Sequence, residues 1–170
     1  MLKTISLWEP WSSLLAHGLK KIETRGWSTD FRGEVAIHST KGGLSQEELF
    51  LTCADGHFRA ALESIGIFRY GMSCPQLARA FPRGHIIAVG TLVDCMETDP
   101  CSICVSGVFD DHPELNTEQE RAFGDYSPGR YGLVFENVTL LQEPVPFKSR
   151  QGKLLDLDFE TEAKVRANLW

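Results

Sequence analysis

The order of the chain's periodic segments constrains its fold more than any single residue does. Residues 4–8 read as a short strand with Ile5 and Leu7 on one face, and residues 35–39 read as another. Residues 85–93, rich in Ile and Val, carry the strongest strand signal. Residues 131–138 carry the next, and residues 139–147 extend it although Pro144 and Pro146 remove ladder donors. Helical signals fall between these strands. Pro10 opens a stretch over 10–16 with Trp11, Leu14 and Leu15 at helical spacing, and Gly18 stops it. Ser45 and Glu48 form a capping-box pattern ahead of an apolar stripe, Leu49, Cys53, Phe58, Leu62 and Ile65, which Gly56 interrupts. Residues 75–80 make a short helix ended by Pro82, and the tail beyond Gly152 ends in another, capped by Asp158 or Thr161. Strands towards both ends with helices grouped between them is an α+β order, not a βαβ alternation. One domain over residues 1–170 is expected, with an irregular excursion rich in Pro, Gly, Ser and Asp at about 95–122.

A formal charge of -6 argues against duplex DNA as a partner, since duplex binding relies on many Lys and Arg neutralising phosphates. It leaves room for a local positive pocket. Lys20, Lys21, Arg25, Arg32 and Lys41 cluster near the start, whereas much of the acid lies around Asp110, Asp111 and Glu114 to Glu120. No apolar run is long enough to span a bilayer, so no membrane association is expected. The first residues are too short and polar a stretch for a secretory signal, and a cytoplasmic setting is expected. The cysteines, Cys53, Cys74, Cys95, Cys101 and Cys104, are odd in number and read as thiols. Cys101 and Cys104 form a C-x-x-C pair that, with Cys95 and His112, makes a weak alternative zinc set. The usual second pair is absent, so no metal or other cofactor is expected.

Residues 18–25 hold two lysines, a glutamate and an arginine directly after a Trp-flanked apolar run. That density of charge suits a pocket for a polar, planar, partly anionic ligand. Strand alternation places Glu23 and Arg25 on one face and Ile22 and Thr24 on the other. The spacing G-x-K-x-x-E-x-R, here Gly18, Lys20, Glu23 and Arg25, resembles the signature of the ASCH domain, a relative of the PUA RNA-binding fold. Residues 6–11 resemble the family's opening strand-to-helix element, and residues 35–39 the strand that follows. Residues 92–95 and 123–131 resemble later blocks of one bacterial and phage branch of stand-alone members. Several ordered blocks are more specific than one short pattern. The resemblance implies a small, PUA-like mixed β-barrel with helices packed around it.

Candidate ligand-binding residues follow from the same blocks. Arg25 offers a planar donor fork for a phosphate, a carboxylate or a base edge, and also suits an ion pair with Glu23. Glu23 accepts from an amino group or acts as a base on water. Lys20 lies in the turn before the strand; alternation alone favours Lys21 as the companion of Glu23 and Arg25, and the resemblance selects Lys20. Trp8 and Trp27 flank the motif as stacking platforms, while Trp11 suits the core on its helical stripe. His38 ends a strand and, read alone, suits a hydrogen-bonded core site; the block match makes His38 and Ser39 candidate pocket walls. Tyr126, Ser127 and Arg130 belong to a loop that opens a strand, where binding groups concentrate; Asp125 either caps that turn, the favoured reading, or faces the pocket as a second carboxylate.

Two functions from different classes use these groups. The first is binding of single-stranded RNA or of a nucleoside or nucleotide, with a base, modified or not, held in a cationic and aromatic cleft. The second is hydrolysis in the same cleft, with Lys20 and Glu23 catalytic. The resemblance implies this alternative, because ASCH relatives include an N4-acetylcytidine amidohydrolase and members described as ribonucleases. This chain departs from the amidohydrolase pattern, in which a threonine stands at the position of Glu23. A further alternative, also implied by the family, is a transcription-linked interaction module.

Overall fold

The structure, a computed structural model, describes residues 1–98, 107–148 and 153–169. Strand β1 (Lys3–Leu7) leads into helix α1 (Trp11–Ala16). Gly18 then takes φ +69, the left-handed conformation that ends a helix without a Cβ penalty. Strands β2 (Ile22–Arg25) and β3 (Gly33–Ser39) follow. The apolar stripe predicted across residues 49–65 is divided at the point where Gly56 interrupts it. Helix α2 (Gln46–Ala54) starts on the Ser45–Glu48 capping box, and α3 (Gly56–Ser64) starts on the Asp55 carboxylate. Helix α4 (Cys74–Ala80) precedes β4 (His85–Glu97).

The described part of the excursion, residues 107–122, is more regular than its composition implied. Helices α5 (Val108–Asp111) and α6 (Glu118–Ala122) and a 3-10 turn between them occupy its described part. Val108 and Phe123 are buried there and anchor it to the body. Strand β5 (Tyr131–Pro146) is continuous, and its two prolines fall at its far end. A short strand β6 (Leu155–Asp156), unforeseen in the sequence, precedes α7 (Phe159–Ala167), whose N-terminus is capped by Asp158.

The strands form one six-stranded mixed sheet in the order β2-β5-β4-β3-β1-β6. Strands β1 and β3 run parallel, and the other neighbours run antiparallel. The α+β class matches the expectation; full closure into a barrel does not, since β2 and β6 remain edges. The sheet nonetheless curls. The long β4–β5 ladder shifts register at several points, and such bulges add bend and twist. At Gly90 a Cβ would stand 2.9 Å from Val138 Cγ2, so only glycine lets β5 approach this closely. The curl brings β2 back towards β1, although three strands separate them in the ladder.

Strand alternation sorts the core. Ile5, Leu7, Val35, Ile37, Leu133 and Phe135 face α1. Leu2, Ala36, Ile86, Val89 and Val165 pack on the opposite face under α7. The helices α2, α3 and α4 make a separate apolar layer with Leu14 and Phe123. Full burial of each such aliphatic side chain contributes about 1.5–3 kcal/mol. None of the described helices is long and apolar enough to cross a membrane.

Candidate functional site

Where the curled sheet brings β1 and β2 together, it leaves a cleft of about 600 Å³. Its wall includes the end of β1 with Trp8, Trp11 of α1, residues 23–27, and Phe123, Gly124, Asp125 and Arg130 from the approach to β5. Three indoles, two guanidinium groups and two carboxylates therefore meet around one cavity. Trp8 is 54% exposed and stands as a free wall, backed by Gly43, whose Cβ, if added, would sit 3.1 Å from the indole. Trp11 is more deeply set and packs edge-on against Phe58. Lys153 lies 5.8 Å over the Trp27 ring.

The β2 face carries the charge. Arg25 Nη2 donates to the Ser6 carbonyl at 2.8 Å and so straps the open seam between β2 and β1. Its Nε lies 3.0 Å from Glu23 Oε1, an ion contact off the hydrogen-bond line. Lys20 Nζ lies 3.7 Å from Glu23 Oε2. Glu23 is thus held between two cations on the floor of the cleft.

Lys20 is 1% exposed and does not line the cavity. Its ammonium donates to the carbonyls of Ile22 and Phe123, fastening β2 to the segment after α6. Burial pushes the Lys20 amine below its ordinary value, and Glu23 and Glu120 oppose that shift. Geometry therefore makes Lys20 a strut beneath Glu23.

Glu120 is the residue that sequence reasoning missed. It is buried, and its carboxylate accepts the backbone N–H groups of Lys21 at 2.8 Å and Ile22 at 3.0 Å. Tyr126 donates its hydroxyl to the same carboxylate at 3.3 Å. The excursion thus returns to clamp the start of the strand that bears Glu23 and Arg25. Nothing in the acidic run 114–120 distinguishes Glu120 from its neighbours; only its place three residues before the 123–131 block hinted at a role.

Of the sequence-predicted residues, Trp8, Glu23, Arg25, Trp27 and Arg130 line the cleft. Arg130 is fixed by the Asp125 and Thr24 carbonyls at 3.1 and 3.2 Å. Asp125 caps its turn as expected, accepting from the Ser127 N–H and hydroxyl. Ser127 and Tyr126 lie behind the lining; Tyr126 packs on Phe109, and burial near Glu120 pushes its phenol up. His38 and Ser39 also sit away from the cavity, both buried. His38 bonds Ser6 Oγ through Nδ1 at 2.9 Å and meets Phe147 edge-on, and burial lowers its pKa to about 4. Ser39 donates to Glu9 Oε1 at 2.6 Å; Glu9 is a buried carboxyl whose pKa burial raises.

Cys101 and Cys104 lie outside the described residues. Cys95 is a free thiol, and His112 instead contacts Asp94 and Glu114 at 3.2 and 3.5 Å. Among the described residues, no three His, Cys, Asp or Glu side chains converge in a metal-binding arrangement.

Comparison with known proteins agrees with this architecture. The chain is 24% identical over 119 residues to Activating signal cointegrator 1 of Mus musculus, covering 70% of this chain and 17% of that protein. It is 27% identical over 92 residues to Activating signal cointegrator 1 of Homo sapiens, covering 54% of this chain and 14% of that protein. The chain therefore spans less than a fifth of the length of these curated relatives. The model of the ASCH domain matches residues 5–141, a span that runs from β1 into β5 and includes every residue lining the cleft. The protein belongs to the ASCH-domain family, whose fold is PUA-like.

Proposed function

We propose that the cleft binds one nucleobase, presented by single-stranded RNA or by a free nucleoside or nucleotide. The observation that carries this reading is the convergence of Trp8, Trp11 and Trp27 with Arg25, Arg130 and Glu23 around one cavity. Indoles stack on any base face, by about 1–3 kcal/mol per base. Guanidinium groups suit phosphate and carbonyl oxygens, and the carboxylate suits amino and imino donors. A base paired within a duplex presents neither its faces nor its edge to such a cleft; a single strand or free ligand does. Family membership supports the reading, because ASCH domains are PUA-like.

The placement of Lys20 favours binding over hydrolysis of N4-acetylcytidine or of RNA. An amine that stabilises an oxyanion must reach the reacting atom, and Lys20 Nζ is engaged by two carbonyls beneath Glu23. Titration with mononucleotides and with short single-stranded RNA, read by tryptophan fluorescence, tests the proposal. Saturable quenching is expected, together with survival of N4-acetylcytidine and labelled RNA on prolonged incubation. Product formation abolished by Glu23→Gln would reinstate the enzyme, and absence of binding to any ligand would contradict the binder.

A further inference from the structure

The indoles of Trp8 and Trp27 line one cleft but belong to opposite ends of it, and on the base-binding reading above each is a platform for a separate base. Strand β1 runs parallel to β3, β3 antiparallel to β4, β4 to β5, and β5 to β2. Strand β2 therefore runs against β1 where Arg25 bridges to the Ser6 carbonyl. Trp8 lies two residues beyond Ser6 and Trp27 two residues beyond Arg25, so the chain carries them away from the bridge in opposite directions. Their neighbours agree. Trp8 is backed by Gly43, four residues past the end of β3. Trp27 lies in the connection that leads to the start of β3, under the ammonium of Lys153, which precedes the partner of the start of β1. At about 3.3 Å per extended residue, two residues each way put the platforms roughly 10–13 Å apart. Stacked bases lie about 3.4 Å apart, so two rings gripping one base stand only about 7 Å apart. One base cannot stack on both indoles.

The ground between the indoles suits the link that joins two bases. Arg25 and Arg130 both line it, and a guanidinium suits a phosphate oxygen. Gly26, between Arg25 and Trp27, is exposed and has no positive φ, and a Cβ added there would meet nothing within 4 Å among the described residues. Neither backbone conformation nor packing calls for glycine at that point, whereas close approach of a ligand's own backbone does. Unstacked, splayed bases on separate aromatic rings are the usual form in which a protein holds a single strand. We infer that the cleft takes two consecutive nucleotides of single-stranded RNA, one base stacked on Trp8, the other on Trp27, with the phosphodiester between them passing over Gly26 against Arg25 and Arg130.

The test is a titration of the full chain, read by tryptophan fluorescence, with the dinucleotides UpU and ApA and the trinucleotides UpUpU and ApApA. The 3′-(methyl phosphate) esters of uridine and adenosine serve as references, since they keep the phosphodiester charge and lack the second base. Each dinucleotide is expected to bind at least about fivefold tighter than its ester, the factor for the weaker end of base–aromatic stacking. A third nucleotide is expected to add less than about threefold, because it brings a second register but no further exposed platform. Trp27→Ala is expected to remove the dinucleotide advantage while ester binding, which keeps Trp8, stays within about twofold. Gly26→Leu, whose side chain enters open space, is expected to remove the same advantage at an unchanged urea midpoint, and it decides the matter if Trp27→Ala does not fold. Dinucleotides no tighter than the esters, affinity that climbs steadily with each added nucleotide, or an advantage that survives Trp27→Ala or Gly26→Leu overturns the two-nucleotide site and leaves a cleft for one base. No saturable binding by any of these ligands overturns the base-binding reading itself.

Discussion

Removing the Glu120 carboxylate should loosen the strand that carries the binding groups, although Glu120 does not line the cleft. In Glu120→Ala the Ile22 N–H loses a buried acceptor at 3.0 Å and the Lys21 N–H loses a half-buried one at 2.8 Å. Hydrogen bonds to a charged group contribute about 1.5–3 kcal/mol each. Water can recover part of the Lys21 bond and little of the Ile22 bond. The 3.3 Å contact from Tyr126 adds less, being long. The expected loss is roughly 3–5 kcal/mol, a large share of a typical domain's 5–15 kcal/mol. Glu120→Gln keeps one acceptor and turns an amide donor towards the other N–H, so roughly half that loss is expected. Urea unfolding followed by far-ultraviolet circular dichroism measures both, with a lower midpoint at an unchanged slope. A Glu120→Ala loss below about 1 kcal/mol, the range of an ordinary surface substitution, would refute the view that this carboxylate clamps β2.

Other consequences are independent of that one. Trp8→Ala should weaken nucleotide binding by about five- to 150-fold, the factor equivalent to 1–3 kcal/mol of stacking, while leaving the urea midpoint almost unchanged because the side chain is half exposed. Gly43→Ala should destabilise by about 1–2 kcal/mol and shift the tryptophan emission, since Gly43 has φ +141 and its new methyl would press on Trp8 at 3.1 Å. Burial lowers the folded-state pKa of Lys20 below 10.5, so the unfolded chain holds the extra proton in the window beneath that value. Wild type should therefore gain stability relative to Lys20→Met as pH rises towards 10.5, and a gap that narrows instead would contradict the burial. His38 should resist protonation down to a pKa of about 4, against 6.5 in the unfolded chain, so its contribution of about 3 kcal/mol is lost as pH falls from 6.5 to 4. An NMR titration of its ring that shows an ordinary midpoint would contradict this.

Local chemistry made much of the fold legible. The Ser45–Glu48 box, the Gly18 stop and the Ile/Val run at residues 85–93 each act through neighbours close in sequence, and the corresponding elements occur where those signals lie. The alternation that joined Glu23 to Arg25 likewise set their shared face. Closure of the sheet was not legible, because it depends on how far the bulged β4–β5 ladder curls, and the curl stops with Arg25 bridging a seam that no ladder closes. Lys20 was chosen through its motif, yet its burial depends on Phe123, 103 residues away. Glu120 was hidden for a similar reason: its acceptors are matched to N–H groups 98 and 99 residues distant. His38 looked like a wall residue because its strand resembles a family block, whereas its side chain takes the face that packs on Phe147.

The base-binding cleft is tested most directly by two-dimensional NMR of the indole and backbone N–H groups during addition of GMP or a short single-stranded RNA. Saturating shifts are expected for the indole resonances of Trp8 and Trp27 and for the amides of Arg25 and Gly26, with those of α7 unmoved. Shifts confined to α7, or spread uniformly over the surface while Trp8 and Trp27 stay in place, would contradict a nucleobase site between β1 and β2.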